Sequence, residues 1–414
     1  MTGPTTRLAP VARYLLLGAT VFLALGGLLM IFSASAVTGI KEHSDTMYFV
    51  KRQAIFLVLG FGALLAASRL SVSVIKIVGV ATLVAGDIML GLVLVMGRAN
   101  MGSVRALNIG VTTIQPAEIA RLGCVLAMAA LFADRVRRPR PIKNDLLNIL
   151  LIAGIPFALV MMQPDMGAAM SILIAVFFVM VLGGLPWKWV VATVGGIGAG
   201  VAVLLPIAAY RSSRIAAWLD PSKDPLGNAY QVLQARLAFG SGGILGLGLG
   251  LSRQKFFYLP AAHTDFIFAI IGEELGLLGT LSVVIAFGVF CYAGVRIALA
   301  VKDPYARIVA GGLTITITTQ ALINMASVTG LIPVAGEPLP MVSYGGSSLL
   351  FTMGCIGLIL AMTRGSVRES SRVRPHAIVE QEGSARARSG ERRGNGRPRL
   401  SGIDGGRAGV SRRS

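Results

Sequence analysis

Three carboxylates lie in YLPAAHTDFIFAIIGEELG, residues 258–276, where the sequence otherwise has the composition of a membrane helix. Glu273 and Glu274 follow Asp265 by eight and nine residues, which is about 12–13 Å along a helix at 1.5 Å per residue. That separation exceeds the roughly 5–9.5 Å between the paired carboxylates of a glycosidase. Asp265 is therefore predicted to act alone or with partners from elsewhere, and the two glutamates to make structural bonds within the bundle.

The local sequence leaves two interpretations of Asp265 open. A charged group at membrane depth is energetically costly unless it is paired or hydrated, so Asp265 is a candidate catalytic residue. It also lies with Thr264 at the start of a predicted helix, where either side chain could cap the free N–H groups.

Other polar residues at membrane depth have structural interpretations. Glu118 and Arg121 are three residues apart, so they share a helix face and are predicted to neutralise each other. Asp165 lies at a helix junction and is predicted to cap a helix, whereas Asp87, in mid-span, is predicted to hydrogen-bond within the bundle. The sequence has no HExxH, CxxC or P-loop pattern, and GSGGILGLGLGLS lacks the Lys-Ser/Thr ending of a phosphate loop.

The elements that must position these residues are membrane helices. The 414-residue chain is 54% hydrophobic and 14% charged, with a mean hydropathy of +0.74, whereas about a quarter of a soluble domain is charged. Apolar runs long enough to cross a bilayer predict an all-α integral membrane protein with about ten spans. They lie near residues 13–35, 53–70, 75–97, 115–134, 146–162, 166–185, 188–209, 268–299, 308–329 and 344–363.

Basic residues predict the topology. They cluster at residues 135–143, at Lys302 and Arg307, and in the tail, and such clusters indicate the cytoplasmic side. Both termini are therefore predicted to be cytoplasmic, with one long extracytoplasmic loop, residues 210–264, between spans seven and eight. Residues 1–365 form the predicted membrane domain. The Arg-, Gly- and Ser-rich tail, residues 366–414, is predicted to be disordered and to contact anionic membrane lipids. It supplies a good part of the +19 net charge, so the charge is no argument for nucleic-acid binding.

Several long motifs resemble one family. The runs QPAEIAR, QPDMG, AYQVLQARLAFGSGGILGLGLGLSRQKFFYLPAAHTDFIFAIIGEELG and NMASVTGLIPVAGEPLPMVSYGGSSLL are similar to those of the SEDS proteins (shape, elongation, division, sporulation). The resemblance covers residues 13–363. The amino-acid sequences of these motifs are more similar to those of the division and sporulation members than to those of the elongation members. It has departures: Arg121 stands where the family usually has Lys, and Arg105 alone remains of a Trp-containing basic motif.

The resemblance implies a ten-helix glycosyltransferase that polymerises lipid II into peptidoglycan, in the bacterial plasma membrane at the division septum. It implies a class B penicillin-binding protein and other division proteins as partners. It also implies that the carboxylate of Asp265 is catalytic. Inverting transfer needs one base and positive charge for the departing pyrophosphate; a divalent cation, Mg or Mn, is the alternative clamp. The predicted substrate contacts are Arg105, Arg211, Arg214, Lys255, His263 and Ser343. The predicted structural or cavity residues are Glu118, Arg121, Asp165, Glu273 and Glu274.

Two functions of other classes compete with this one. A lipid II flippase or transporter would also need many spans, but it should show related halves and interrupted helices, and the sequence has no evident internal repeat. A non-catalytic division scaffold would use the basic tail, but it leaves Asp265 unexplained.

Overall fold

The computed structural model describes residues 5–96, 107–108, 113–163, 165–204, 209–222, 224–227 and 229–364. Most of these residues are helical. The helices are α1 Thr5–His43, α2 Tyr48–Ser68, α3 Val72–Met96, α4 Pro116–Arg137, α5 Leu146–Ile149, α6 Ile155–Met162, α7 Met166–Leu182, α8 Trp187–Leu204, α9 Ala209–Leu219, α10 Tyr230–Gly242, α11 Ile267–Ala300, α12 Pro304–Val328 and α13 Gly346–Arg364.

Short elements complete the described part of the chain. A 3₁₀ turn, Ile142–Asn144, precedes α5, and a π-helical turn, Leu150–Gly154, joins α5 to α6. Two strands that the sequence did not predict, β1 Leu107–Asn108 and β2 Thr113–Ile114, pair antiparallel between α3 and α4. Each strand has two residues, so this pairing does not change the all-α class.

The helices fit a membrane protein. Seven of them (α1, α2, α3, α4, α11, α12 and α13) are long and apolar enough to cross a bilayer, and Leu146–Met162 and Met166–Leu182 are shorter apolar helices. A helix lies at each of the ten predicted span positions, which confirms the predicted all-α membrane class. The exact number of crossings and the side on which each loop lies stay predictions.

The predicted long connection, residues 210–264, is partly helical, since it includes most of α9 and all of α10. The predicted tail, residues 366–414, lies outside the described residues. Within the bundle, α12 packs against α4, α7 and α11, and its buried side chains include Gln320 and Asn324. This helix is the centre on which the candidate site is assembled.

Helix α11 is interrupted at Gly276, whose backbone is non-helical at φ 65° and ψ −158°. The break leaves backbone groups on both sides without helical partners, and the glycine-rich segment 243–248 pairs with them. Leu247 N and Gly248 N donate to the carbonyls of Glu273 and Glu274, and the N–H groups of residues 277 and 278 donate to those of residues 243 and 244.

This close crossing requires small residues. A Cβ placed at Gly246 would lie 2.1 Å from the carbonyl oxygen of Glu274. GSGGILGLGLGLS is therefore a segment that packs against the broken helix, which gives its glycines a structural reason independent of phosphate binding.

Candidate active site

The segment that carries Asp265 forms a tight turn just before α11. Thr264 N and Phe266 N both donate to the carbonyl of Ala261, at 3.1 and 3.2 Å, and Ala261 itself has a φ of 55°. A non-glycine residue in this left-handed region is strained, and such strain concentrates at functional sites because the surrounding structure must hold it in place.

The structure does not support the helix-cap interpretation of Asp265. In this described segment the cap position of α11 is Phe266, and no side-chain hydrogen bond caps the first turn. Asp265 lies one residue earlier and is half-buried. The backbone of Asp265 therefore belongs to the turn and not to the N-cap position of the helix.

Three consecutive carbonyl groups of this turn are held by neighbouring elements. Tyr344 N donates to His263 O at 2.9 Å, and Ser343 Oγ donates to Thr264 O at 2.6 Å. Asn324 Nδ2, from α12, donates to Asp265 O at 2.8 Å. The backbone at Asp265 is thus fixed from two directions, by α12 and by the loop before α13.

Ser343 was predicted to contact substrate, but the structure gives it a supporting position. The residue is buried, with 4% of its surface exposed, and its hydroxyl accepts from Leu339 N at 2.8 Å while it donates to Thr264 O. Both hydrogen bonds connect the loop before α13 to itself and to the Asp265 turn, so Ser343 holds the site together.

His263 was also predicted to contact substrate. Its ring packs against Phe49 and Tyr344, with centroid distances of 4.8 and 5.7 Å. Burial among these rings lowers the pKa of His263 to about 4, so the imidazole is neutral at physiological pH. It therefore supplies no positive charge for a pyrophosphate, and its role as a substrate contact stays a prediction.

The predicted Glu118–Arg121 pair is arranged differently. Both residues are buried, but Glu118 Oε1 accepts from Ser348 Oγ at 2.6 Å. Arg121 donates to Gln320 Oε1 at 2.8 Å and forms its ion pair with Glu337, at 3.5 Å between Nη1 and Oε2. Among the described residues, the carboxylate that pairs with Arg121 thus comes from a loop more than 200 positions away along the chain, which helix spacing could not reveal.

Glu337 is the site residue that the sequence did not identify. The pKa of its carboxyl is raised to about 7: burial is the largest cause, the Arg121 guanidinium opposes it, and the carboxylates of Asp165, Glu118 and Asp265 add to the rise. Its one signal in the sequence is that it is the only charged residue between α12 and α13, in residues 329–345.

Asp165 caps α7, as its local sequence predicted, and accepts from Ala168 N at 3.1 Å. The same helix start packs against Glu337, because a Cβ placed at Gly167 would lie 2.5 Å from Glu337 Cγ. Asp165 is thereby brought into the electrostatic neighbourhood of Glu337 and Asp265.

The predicted basic contacts lie in different places. Lys255 is buried, and its ammonium donates to Glu274 at 3.2 Å, to Ser33 Oγ at 3.3 Å and to Gly250 O. These contacts give Lys255 a structural role instead of the predicted contact with a phosphate. Arg214 Nη1 donates to Val334 O at 2.9 Å. Arg105 lies outside the described residues, as does the side chain of Arg211.

Arg214 lines a cavity of about 240 Å³ with Trp218, Tyr230, Gln231 and Pro260 among its other walls. Pro260 lies five residues before Asp265, and Val334, which also lines it, lies three before Glu337. The cavity is therefore built in part by the two segments that carry the site acids.

Glu273 and Glu274 anchor the loop that follows the glycine-rich segment. Glu273 accepts from Ser252 Oγ and from the backbone N–H groups of residues 253 and 254. Glu274 accepts from Ser33 Oγ at 2.6 Å, from Ser252 N at 3.2 Å and from Lys255. Both carboxylates thus join α11 to loop 252–255, and Glu274 also joins it to α1.

In the described part of the chain, no group of three or more His, Cys, Asp or Glu side chains is placed to hold a metal ion. The divalent cation stays a prediction.

Comparisons with known proteins place the chain among bacterial cell-wall proteins. The FtsW, RodA and SpoVE family model, described as "Cell cycle protein", matches residues 13–367. A probable peptidoglycan glycosyltransferase FtsW of Trichlorobacter lovleyi is 36% identical over 342 residues, which are 82% of this chain and 90% of that protein. Stage V sporulation protein E of Bacillus subtilis is 36% identical over 351 residues, 84% of this chain and 95% of that protein.

Two solved structures are similar as well. A chain of a peptidoglycan synthase complex described as coordinating polymerization and crosslinking is 28% identical, with a TM-score of 0.67; the match covers 84% of this chain and 97% of that one. The rod shape determining protein RodA of Thermus thermophilus is 26% identical, with a TM-score of 0.61, over 83% of this chain and 95% of that one.

Proposed function

The chain belongs to the FtsW, RodA and SpoVE family of cell cycle proteins, and we propose that it transfers glycosyl groups with Asp265 as the general base. It is a multi-pass bacterial membrane protein and a peptidoglycan glycosyltransferase with a role in cell division. Lipid II is the proposed substrate, and the division septum is the proposed place of action.

The proposed reaction is a single displacement. The 4-hydroxyl of the acceptor sugar attacks the anomeric carbon of the donor, the bond from that carbon to the pyrophosphate breaks, and Asp265 receives the hydroxyl proton. A β-1,4 bond forms from an α-linked donor, so the anomeric centre inverts and no covalent enzyme intermediate is needed. The pyrophosphate leaves with the negative charge, which a cationic side chain can stabilise.

One observation carries the assignment of the base. The carbonyls of residues 263, 264 and 265 are each hydrogen-bonded to a neighbouring element, and the N-cap position of α11 is Phe266 rather than Asp265. Such a rigid backbone around a half-buried carboxylate is what a general base requires, because its oxygen must stay within hydrogen-bond reach of the acceptor.

Arg214 is the proposed cation for the pyrophosphate among the residues whose side chains are described, because it lines the cavity beside the Asp265 turn. Arg105 and Arg211 keep their predicted roles as further contacts. No step of the mechanism depends on a metal ion. A divalent cation acting with the substrate would be detected as activity that EDTA removes and Mg or Mn restores.

The partner is proposed to be a class B penicillin-binding protein, together with other division proteins. The similar synthase chain belongs to a complex of polymerization and crosslinking, and this supports a crosslinking partner for the present chain.

The rival proposal is lipid II transport. The interruption of α11 at Gly276 is a feature typical of transporters. Here, however, the break is filled by the backbone of residues 243–248, so it gives transport little support.

The decisive experiment is polymerisation of purified lipid II by the purified protein, with and without the penicillin-binding partner. Asp265→Asn should lower the rate by about two orders of magnitude or more, because an amide cannot accept the hydroxyl proton. The variant should insert, fold and bind lipid II normally. Asp303→Asn is the matched control, since Asp303 caps α12 through Ala306 N at 2.9 Å, and Asn caps about as well as Asp.

Near wild-type polymerisation by Asp265→Asn would reject the base assignment. Transport of lipid II across reconstituted vesicles by a parent protein that makes no glycan would instead support the rival function.

A further inference from the structure

Glu337 makes contacts in two directions. Its side chain forms the ion pair with Arg121 of α4 at 3.5 Å, and both side chains are less than 10% exposed. Its main-chain oxygen accepts from Asn324 Nδ2 of α12 at 2.7 Å. A single residue thus fastens the loop before α13 to two different helices.

The Asn324 contact leads directly to the proposed base. The same amide nitrogen, Nδ2, that donates to Glu337 O also donates to Asp265 O, at 2.8 Å. Both donor hydrogens of one amide are therefore used to hold the backbones of Asp265 and Glu337 side by side. A shift of Glu337 would be transmitted to the Asp265 turn through one side chain.

The other end of the ion pair is held by the same loop and helix. Gln320 accepts from Arg121 at 2.8 Å, and Gln320 Nε2 donates to the carbonyl of Pro338, the residue after Glu337, at 3.4 Å. One glutamine of α12 therefore binds both the Arg121 guanidinium and the backbone next to Glu337, which limits the positions that Arg121 can adopt.

Charged side chains from three other elements act on Glu337. Among the described residues, these are Arg121 and Glu118 from α4, Asp165 at the start of α7, and Asp265 before α11. Glu337 thus faces one guanidinium and three other carboxylates. When Glu337 is ionised it pairs with Arg121, and when it is protonated this ion pair is lost.

We propose that ionised Glu337 is a positioning residue for glycosyl transfer, because its ion pair with Arg121 holds the loop that Asn324 ties to the Asp265 turn. This inference rests on the proposed function of Asp265. Neutral Glu337 loses the ion pair with Arg121, which loosens the loop and with it the Asp265 turn.

Because the pKa of Glu337 is raised to about 7, its ionisation falls within the range in which the protein works. Polymerisation by the wild type should therefore rise with pH through about 7. The rise comes from loss of the Glu337 proton, since Glu337 is neutral below that pKa and charged above it.

The test compares Glu337→Gln and Glu337→Asp with the wild type in the lipid II assay at about pH 6, 7 and 8. The glutamine variant is neutral at every pH, so it should lose about tenfold or more in rate, the order of effect of a misplaced catalytic group, and should lose the rise around pH 7. The aspartate variant keeps the charge and should retain the rise with a smaller loss of rate. Glu42→Gln, at an exposed acid near the end of α1, is the control for removing a carboxylate.

Hydrogen exchange of residues 261–266 gives a readout that does not need activity. Faster exchange in Glu337→Gln than in the wild type or Glu337→Asp is expected if the Asp265 turn is held through Glu337. A Glu337→Gln protein with the wild-type pH profile, or with unchanged exchange in this turn, would overturn the inference. A wild-type protein that makes no glycan would defeat the proposed function instead, and the exchange result would still decide whether Glu337 positions the turn.

Discussion

Two groups of buried or half-buried acids differ in how their oxygens are satisfied: one lies on the first part of α11, and the other is drawn from the starts of α4 and α7, the turn before α11 and the loop before α13. In the anchor cluster, Glu273 and Glu274 accept from Ser33, Ser252, Lys255 and backbone N–H groups. In the transfer cluster, Glu337 pairs with Arg121, and the carboxylates of Glu118, Asp165 and Asp265 act on Glu337. The acids of the anchor cluster receive many hydrogen bonds, whereas Glu337 in the transfer cluster faces other carboxylates.

This difference separates a structural role from a chemical one. The hydrogen bonds that Glu273 and Glu274 accept tie α11 to neighbouring elements. Glu337 instead lies among other carboxylates, which raise its pKa, and groups with perturbed pKa values concentrate at functional sites. The two clusters should therefore respond differently to substitution: the anchor cluster in stability, and the transfer cluster in activity and its pH dependence.

The largest effect is expected for Lys255→Met in the anchor cluster. The change leaves Glu274 without its buried cation, and breaking one side of a buried pair costs about 3–5 kcal/mol. The variant should unfold at a markedly lower temperature in detergent. Lys51→Met is the control, because Lys51 pairs with Asp45 at 2.9 Å with 65% of its side chain exposed, and exposed pairs contribute about 0–1 kcal/mol. Equal stability losses in the two variants would contradict the anchor role.

A second test addresses the glycine-rich segment that covers the break beside the anchor cluster. Gly246→Ala places a Cβ 2.1 Å from the carbonyl of Glu274, whereas a Cβ at Gly250 meets nothing within 4 Å. Both glycines have positive φ, at 80° and 83°, so the conformational strain is matched. Gly246→Ala should cost about 1–3 kcal/mol more than Gly250→Ala, measured by thermal unfolding. Similar melting temperatures would show that the crossing is not tight.

The third test asks which acid Arg121 is coupled to in the transfer cluster. A double-mutant cycle of Arg121→Met with Glu337→Gln should give a coupling energy of about 1–2 kcal/mol. The same cycle with Glu118→Gln in place of Glu337→Gln should give less, because Glu118 is hydrogen-bonded to Ser348. Stability in detergent is the measurement. A larger coupling energy between Arg121 and Glu118 would instead support the Glu118–Arg121 pair that helix spacing predicts.

Local pattern was sufficient for much of the fold and for the identity of the base candidate. Apolar runs fixed the membrane class and the positions of the spans, because a bilayer demands long stretches without charge. Asp165 caps α7 as its position predicted, since capping depends on a few neighbouring residues. The motif around Asp265 placed an acid directly before a span, although the sequence left a structural cap open as the alternative.

The partners of the buried ions could be decided only by the tertiary structure. Arg121 forms its ion pair with Glu337 rather than Glu118, and Lys255 pairs with Glu274. Ser343, which was predicted to contact substrate, donates a hydrogen bond to the Asp265 turn. The break of α11 at Gly276 was also not predicted, because its free backbone groups are satisfied by residues about 30 positions earlier. A hydrogen bond or ion pair depends on distances of a few ångströms between elements remote in sequence. Periodicity and composition determine which face of a helix is buried, but only packing determines which side chain lies opposite.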